Sequence, residues 1–293
     1  MHYEGDIYSP HMAGDDYILQ CTIGCSHNQC TFCGMYKSKQ YRQRPLAEIL
    51  ADIEMAQQYY GEVEKVFLAD GDTLSMDTGS LLAVLDSLYS HFPGLAYVGT
   101  YGTARAALEK TQWELDLLSQ HGLTEVHLGI ESGDRDVLRK ICKGVSYEEM
   151  VEAGQRIREA KIPLYATIIL GLAGRSTQDS EQHARNTAMI CNDIQPDYIG
   201  ALTVMLQPGT PLHQEYLNGI FQTPDDLEIL GELRILLQSL ELNNSGFTSI
   251  HPSNPLYVEG ILPADKAHLI SMIDQVLVYK NTDLLRSRRQ GKV

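Results

Sequence analysis

Short apolar runs alternate with longer amphipathic stretches along most of this chain. Residues 17–22, 63–69, 96–99, 125–129, 164–169 and 198–205 are mostly apolar or β-branched, the pattern of short strands buried in a parallel sheet. Between them, residues 46–60, 80–91, 113–121, 147–160 and 178–192 repeat apolar side chains at helical spacing. Six strands separated by helices of this length predict repeated βαβ units with right-handed crossovers. The expected fold class is α/β, a partial barrel of six β/α units. Past Met205 the pattern changes. Residues 225–242 and 264–278 read as two amphipathic helices, and residues 243–257 between them as a long loop rich in turn formers. That loop is expected to lie across the open side of the barrel, a plain surface connection being the alternative. The expected division is a barrel core over 1–217 and a mainly helical C-terminal extension over 218–293, capping the substrate side.

Each strand is followed by residues with chemistry in them. The first runs into Cys25-Ser-His-Asn-Gln-Cys30-Thr-Phe-Cys33, and the second ends in Asp70-Gly71-Asp72. Thr100–Thr103, Glu131-Ser132-Gly133, Gly171-Leu-Ala-Gly174 and Gln207-Pro-Gly-Thr210 follow the others. One such turn would merely end a strand. Six of them, at the strand ends where such barrels gather their active sites, point to a site.

Three cysteines within nine residues cannot all pair inside one domain without strain, and such spacing reads as metal binding. Three thiolates with room for a fourth ligand suit an iron–sulfur cluster with one open iron. Adding Cys21 gives four thiols and a structural zinc site as the rival. A zinc knuckle, however, usually has two widely separated pairs, and it leaves the Asp-Gly-Asp and Gly-Ile-Glu-Ser-Gly turns unexplained. His27 reads either as a ligand or as a solvent-facing loop residue. Cys142 and Cys191 are isolated and read as spectator thiols.

Charge narrows the partners. The formal net charge is −15, which works against a polyanion, so no nucleic-acid partner is expected. The short basic tail Arg286-Ser-Arg-Arg289 reads as a solvated end. No charged-then-apolar leader opens the sequence, and the apolar stretch near 164–173 is too short and glycine-broken to span a bilayer. The expectation is a cytoplasmic protein without membrane contact.

These segments together resemble the radical S-adenosylmethionine (SAM) superfamily. Its usual motif is C-x3-C-x2-C with an aromatic before the last cysteine. This chain has C-x4-C-x2-C with Phe32 in the aromatic position. Gly129-Ile-Glu-Ser-Gly133, with Asp136-Val-Leu-Arg-Lys-Ile and Lys143-Gly144, is similar to a stretch shared by three groups. These are the oxygen-independent coproporphyrinogen oxidases, the tRNA methylthiotransferases and the Elongator catalytic subunit. Gly171-Leu-Ala-Gly174 is similar to their Gly-Leu-Pro-Gly turn, with Ala173 in place of proline, and Pro208-Gly-Thr-Pro211 to their sixth-strand ending. The resemblance covers roughly residues 15–217.

The resemblance implies that Cys25, Cys30 and Cys33 hold three irons of a 4Fe-4S cluster, Cys21 remaining on the strand. The fourth iron would chelate the amino and carboxylate groups of S-adenosyl-L-methionine. Asp70, Gly71 and Asp72 occupy the position of the family's amino-group contact. Glu131 and Ser132 match residues that hold the ribose or the methionine moiety, and Arg139 or Lys143 would pair with its carboxylate. Phe32, Gly171 and the backbone near Thr203–Met205 would line the adenine. An electron donor such as flavodoxin or ferredoxin would supply one electron. The 5′-deoxyadenosyl radical so formed would take hydrogen from a small-molecule substrate. The alternative within the fold is a non-catalytic carrier of haem or another ligand. A tRNA substrate ranks lower, because no basic RNA-binding domain is evident and methylthiolation would need a second cluster.

Overall fold

The computed structural model describes residues 1–10 and 17–287; Arg288 and Arg289 of the basic tail lie outside the described residues. Eight strands follow one another in chain order in one sheet. They are β1 (Tyr17–Gln20), β2 (Lys65–Ala69), β3 (Tyr97–Gly102), β4 (Glu125–Glu131), β5 (Leu164–Leu170), β6 (Tyr198–Thr203), β7 (Ser245–Thr248) and β8 (Glu259–Leu262). The pairs β1–β2, β2–β3, β3–β4, β5–β6 and β6–β7 are parallel, while β7–β8 is antiparallel. The first six strands are those the hydrophobic runs predict, and helices intervene as parallel connections require. The fold is a mostly parallel α/β sheet of the partial-barrel kind.

The chain divides into two compact units. The first comprises residues 1–28, 35–128 and 152–164. Here Val66, Leu68, Val98, Val126 and Leu128 alternate along the strands and are buried. The helix Leu46–Tyr60 buries Ile49, Ile53 and Ala56, and Thr78–His91 buries Leu81, Val84, Leu85 and Leu88. Those spacings put each apolar set on one helical face. Asp77 caps the second of these helices by accepting from the Ser80 N–H at 2.9 Å.

The second unit comprises residues 29–34, 129–151 and 165–293. Its helices Thr177–Ile194 and Asp226–Ser239 pack together, and Lys266–Leu277 packs on the latter. A separate apolar cluster joins Val137, Ile141, Ile169, Leu172, Val204, Leu212 and Phe221.

The C-terminal extension is mainly helical, but it also adds β7 and β8 to the sheet. The sequence read β7 as loop, because Asn243-Asn-Ser-Gly is turn-forming. The strand is polar and short for a packing reason. A Cβ on Gly246 would come within 2.5 Å of the Tyr198 ring on β6, so the aromatic needs a glycine opposite it. The segment that follows is no surface connection, since Ser249, Ser253 and Asn254 are buried.

Candidate functional site

In the first unit the site begins where β1 ends. Cys21 N–H donates to the Ala69 carbonyl at 2.5 Å and Cys21 accepts from Arg44 N–H at 3.0 Å, continuing the ladder for one residue. Its side chain is fully buried, and burial pushes the thiol well above the usual range. That disfavours the thiolate a metal ligand must be. Gly24 then turns the chain with φ +75°, and Cys25 follows, half-buried.

The Asp-Gly-Asp turn after β2 holds both sides of Cys25. The Asp70 carboxylate accepts from Gly24 N–H at 2.9 Å, and the Gly24 carbonyl accepts from Gly71 N–H at 3.1 Å. Ser26 donates its hydroxyl to Asp72. Asp72 also accepts from Thr103 N–H at 2.9 Å and from Thr103 Oγ1 at 3.0 Å, which ties the ends of β2 and β3 together. Both carboxylates are buried. Burial pushes the Asp72 carboxyl above its usual range, against the opposing pull of its bonds from Ser26 and Thr103. Asp70 Oδ2 further accepts from Lys39 Nζ at 2.8 Å and from Gln20 Nε2 at 3.1 Å. Its other oxygen, Oδ1, is buried with no hydrogen-bond partner among the described residues.

In the second unit the segment with Cys30, Phe32 and Cys33 is pinned by backbone. Thr31 N–H donates to the Ile141 carbonyl at 2.9 Å, and Leu212 N–H donates to the Thr31 carbonyl at 3.0 Å. Phe32 lies against the apolar cluster of this unit. Glu131 has φ +64° and meets Lys143 Nζ at 3.1 Å, both side chains being largely buried. Ser132 is fully buried, and its Oγ accepts from Asp134 N–H at 3.0 Å. Arg139 is exposed and paired with Asp136, so Lys143 is the basic group drawn to Glu131. Gly171, at φ +82°, closes the turn after β5 by accepting from Gly174 N–H at 3.1 Å. Thr203 Oγ1 donates to Asn254 Oδ1 at 2.9 Å, and Thr203 N–H to Ser253 Oγ at 2.9 Å. Met205 is half-buried.

Sequence reasoning missed Lys39 and the use to which Ser26 and Thr103 are put, because nothing in their spacing announces a partner on a distant strand end. In the segment read as a loop, Asn254 Nδ2 donates to the carbonyls of Ala201 at 2.7 Å and Ser249 at 3.0 Å.

All six cysteines are thiols, and those at 25, 30 and 33 are half-buried, a soft donor set suited to iron–sulfur ligation. Among the described residues no three His, Cys, Asp or Glu side chains gather around a single metal-ion position. A cluster does not ask for one, since each thiolate binds a different iron. The unpartnered Asp70 Oδ1 is an acceptor of the kind an ammonium group needs. No helix among the described residues is long and apolar enough to cross a membrane.

Residues 19–186 match the family model described as the Radical SAM superfamily. The chain is 22% identical over 273 residues to the tRNA-2-methylthio-N(6)-dimethylallyladenosine synthase of Marinomonas sp. (strain MWYL1). The match takes in 89% of this chain but 58% of that protein. Among solved structures, methylornithine synthase (PylB) aligns with a TM-score of 0.53 at 18% identity, over 78% of this chain and 63% of that one. The radical S-adenosylmethionine methyltransferase TsrM of Kitasatospora setae aligns with a TM-score of 0.55 at 18% identity, over 71% of this chain and 41% of that one. At such identities these two likenesses concern the fold.

Proposed function

The chain belongs to the radical S-adenosylmethionine superfamily, and from that premise we propose that it takes a hydrogen atom from a small-molecule substrate. It is an enzyme, and its cofactors are a 4Fe-4S cluster and S-adenosylmethionine. When bound, these supply one-electron cleavage of a carbon–sulfur bond and hydrogen-atom abstraction, the electron coming from an external donor of the flavodoxin or ferredoxin type.

The observation that carries the reading is the loop of three half-buried thiols after β1, held by its neighbours. Cys25, Cys30 and Cys33 are the proposed cluster ligands. Asp70 and Asp72 fix the start of the loop through Gly24 and Ser26, and the bonds of Thr31 fix its end. Asp70 Oδ1 is the proposed acceptor for the methionine ammonium. Phe32, Gly171 and the chain from Thr203 to Met205 are proposed to line the adenine. Glu131 and Ser132 would hold the ribose or methionine moiety. Lys143 is favoured over Arg139 for the methionine carboxylate, because its side chain is largely buried beside Glu131 whereas that of Arg139 is exposed. We assign the cofactor core to residues 1–217 and the substrate side to 218–293, in a cytoplasmic setting.

A tRNA substrate is the second reading, supported by the similarity to a tRNA-modifying synthase. A net charge of −15 argues against it. The deciding experiment is anaerobic reconstitution with iron and sulfide, then chemical reduction with S-adenosylmethionine. Release of 5′-deoxyadenosine is followed with a metabolite pool or with bulk tRNA added. Stimulation by metabolites supports the first reading and stimulation by tRNA the second. A reconstituted protein that releases no 5′-deoxyadenosine under any condition overturns both.

A further inference from the structure

The helix Asp226–Ser239 lies in the C-terminal extension, outside every segment assigned above to the cofactors, yet it supplies a buried carboxylate to one of them. Glu232 has a fully buried side chain. Its carboxylate accepts from Gly171 N–H, at 3.1 Å to one oxygen and 3.2 Å to the other. It accepts from Ser180 Oγ at 2.9 Å and meets His183 Nδ1 at 2.8 Å. His183 is itself buried, with no partner for Nε2 among the described residues. Burying a carboxylate away from any lysine or arginine is costly unless several donors meet it. Its three partners among the described residues lie at one turn and on the helix that follows it.

The same helix end grips the turn again on its exposed side. Arg175, next to Gly174, meets Asp225 and Glu228 at 2.9 Å each. The turn is one that needs holding. Gly171 and Gly174 both have φ +82°, in a region where glycine alone is at ease and where the unfolded chain has most freedom to lose. A Cβ on Gly171 would come within 2.9 Å of Ile229 Cδ1, so the helix also limits what residue the turn can contain.

We propose that Glu232 is a positioning residue for S-adenosylmethionine: by accepting the Gly171 N–H it fixes the turn after β5 in its binding shape, with Ser180 and His183 orienting the carboxylate. The turn is then preorganised before the cofactor arrives, and affinity is gained by avoiding the cost of ordering it. This rests on the reading that the Gly171 turn meets the cofactor.

The test measures S-adenosylmethionine affinity by equilibrium dialysis on the cluster-loaded protein, without turnover. It is paired with iron content and with the change that S-adenosylmethionine makes in the EPR spectrum of the reduced cluster. Glu232→Gln keeps the shape but removes the charge, and is expected to weaken binding roughly tenfold with iron content unchanged. Ser180→Ala removes one donor to the carboxylate and is expected to weaken binding about two- to threefold. Gly171→Ala serves to test the underlying reading. If Gly171→Ala weakens binding while Glu232→Gln and Ser180→Ala bind as the parent does, the positioning role falls and the cofactor reading stands. If Gly171→Ala with full iron content binds as the parent does, the cofactor reading falls and takes this proposal with it. Should Glu232→Gln or Gly171→Ala fail to fold, Ser180→Ala decides, and parental affinity in that variant overturns the proposal.

Discussion

Gly24 donates its N–H to the Asp70 carboxylate at 2.9 Å, one residue ahead of Cys25. The shape of the cysteine loop is therefore set from another strand, and a conservative change at Asp70 should be felt at the cluster. Asp70→Asn leaves Lys39 buried without its counter-charge, a loss of about 3–5 kcal/mol where one partner of a buried pair is removed. The expected result is a lower anaerobic melting temperature and slower iron uptake, with much of the stability restored by Lys39→Met in the same chain. A single Asp70→Asn variant that melts and loads iron like the parent would show the pair to be dispensable.

The ligand assignment is tested by iron and sulfide analysis of anaerobically reconstituted protein. The parent should carry about four irons and four sulfides per chain. Cys25→Ala, Cys30→Ala and Cys33→Ala should each lose the cluster. Cys21→Ala should keep it, because that thiol is fully buried and pushed away from ionisation. Loss of the cluster in Cys21→Ala, with retention in one of the other three, would reverse the assignment.

The first six strands were legible because parallel strands buried by helices leave uninterrupted apolar runs, as in the stretch that became Leu164–Leu170. The helix Leu46–Tyr60 agrees with its apolar periodicity to the residue. β7 was not legible, because Ser245-Gly-Phe-Thr carries a single large apolar side chain, the buried Phe247, and meets the Tyr198 ring with a glycine. The cysteine motif announced itself through spacing alone. The aspartates could be placed near it, but not their use. Alternation along a strand would put two aspartates flanking a glycine on one face, and a turn at Gly71 is expected to break that relation. In the structure both return to the cysteine loop, one through Gly24 and the other through Ser26.

Asp72 gives the stability a pH dependence of known sign. Its folded carboxyl lies above the ordinary value because burial disfavours the charge. Between the unfolded and folded values the native state binds more protons than the unfolded one. Stability from this group therefore falls as pH rises through that window and is greatest below it. Asp72→Asn does not titrate. The stability of the parent relative to Asp72→Asn should thus decline as pH rises from the normal aspartate range towards neutrality. Anaerobic denaturant melts of both proteins across that range measure the difference. A difference that stays flat, or that favours the parent more at higher pH, would contradict the raised value.

The segment after β7 holds a buried residue, Asn254, and an exposed one, Tyr257. Asn254 is buried and joins Thr203, Ala201 and Ser249 through three hydrogen bonds, so its amide is committed to holding the end of β6. Tyr257 is exposed, and among the described residues its hydroxyl donates to the nearby Glu259. Asn254→Ala leaves buried backbone carbonyls and the Thr203 hydroxyl without their partner, at about 1–3 kcal/mol for each group that finds no other. A lower melting temperature and weaker S-adenosylmethionine binding are expected together, because Thr203 belongs to the proposed adenine wall. Tyr257→Phe should melt like the parent. If this segment orients the substrate, that variant should still cleave S-adenosylmethionine while forming less product per 5′-deoxyadenosine released. Measuring both products in the same anaerobic reaction gives the ratio directly. An unchanged ratio in Tyr257→Phe removes the hydroxyl from the substrate site, and a parental melting curve for Asn254→Ala would remove the anchoring role.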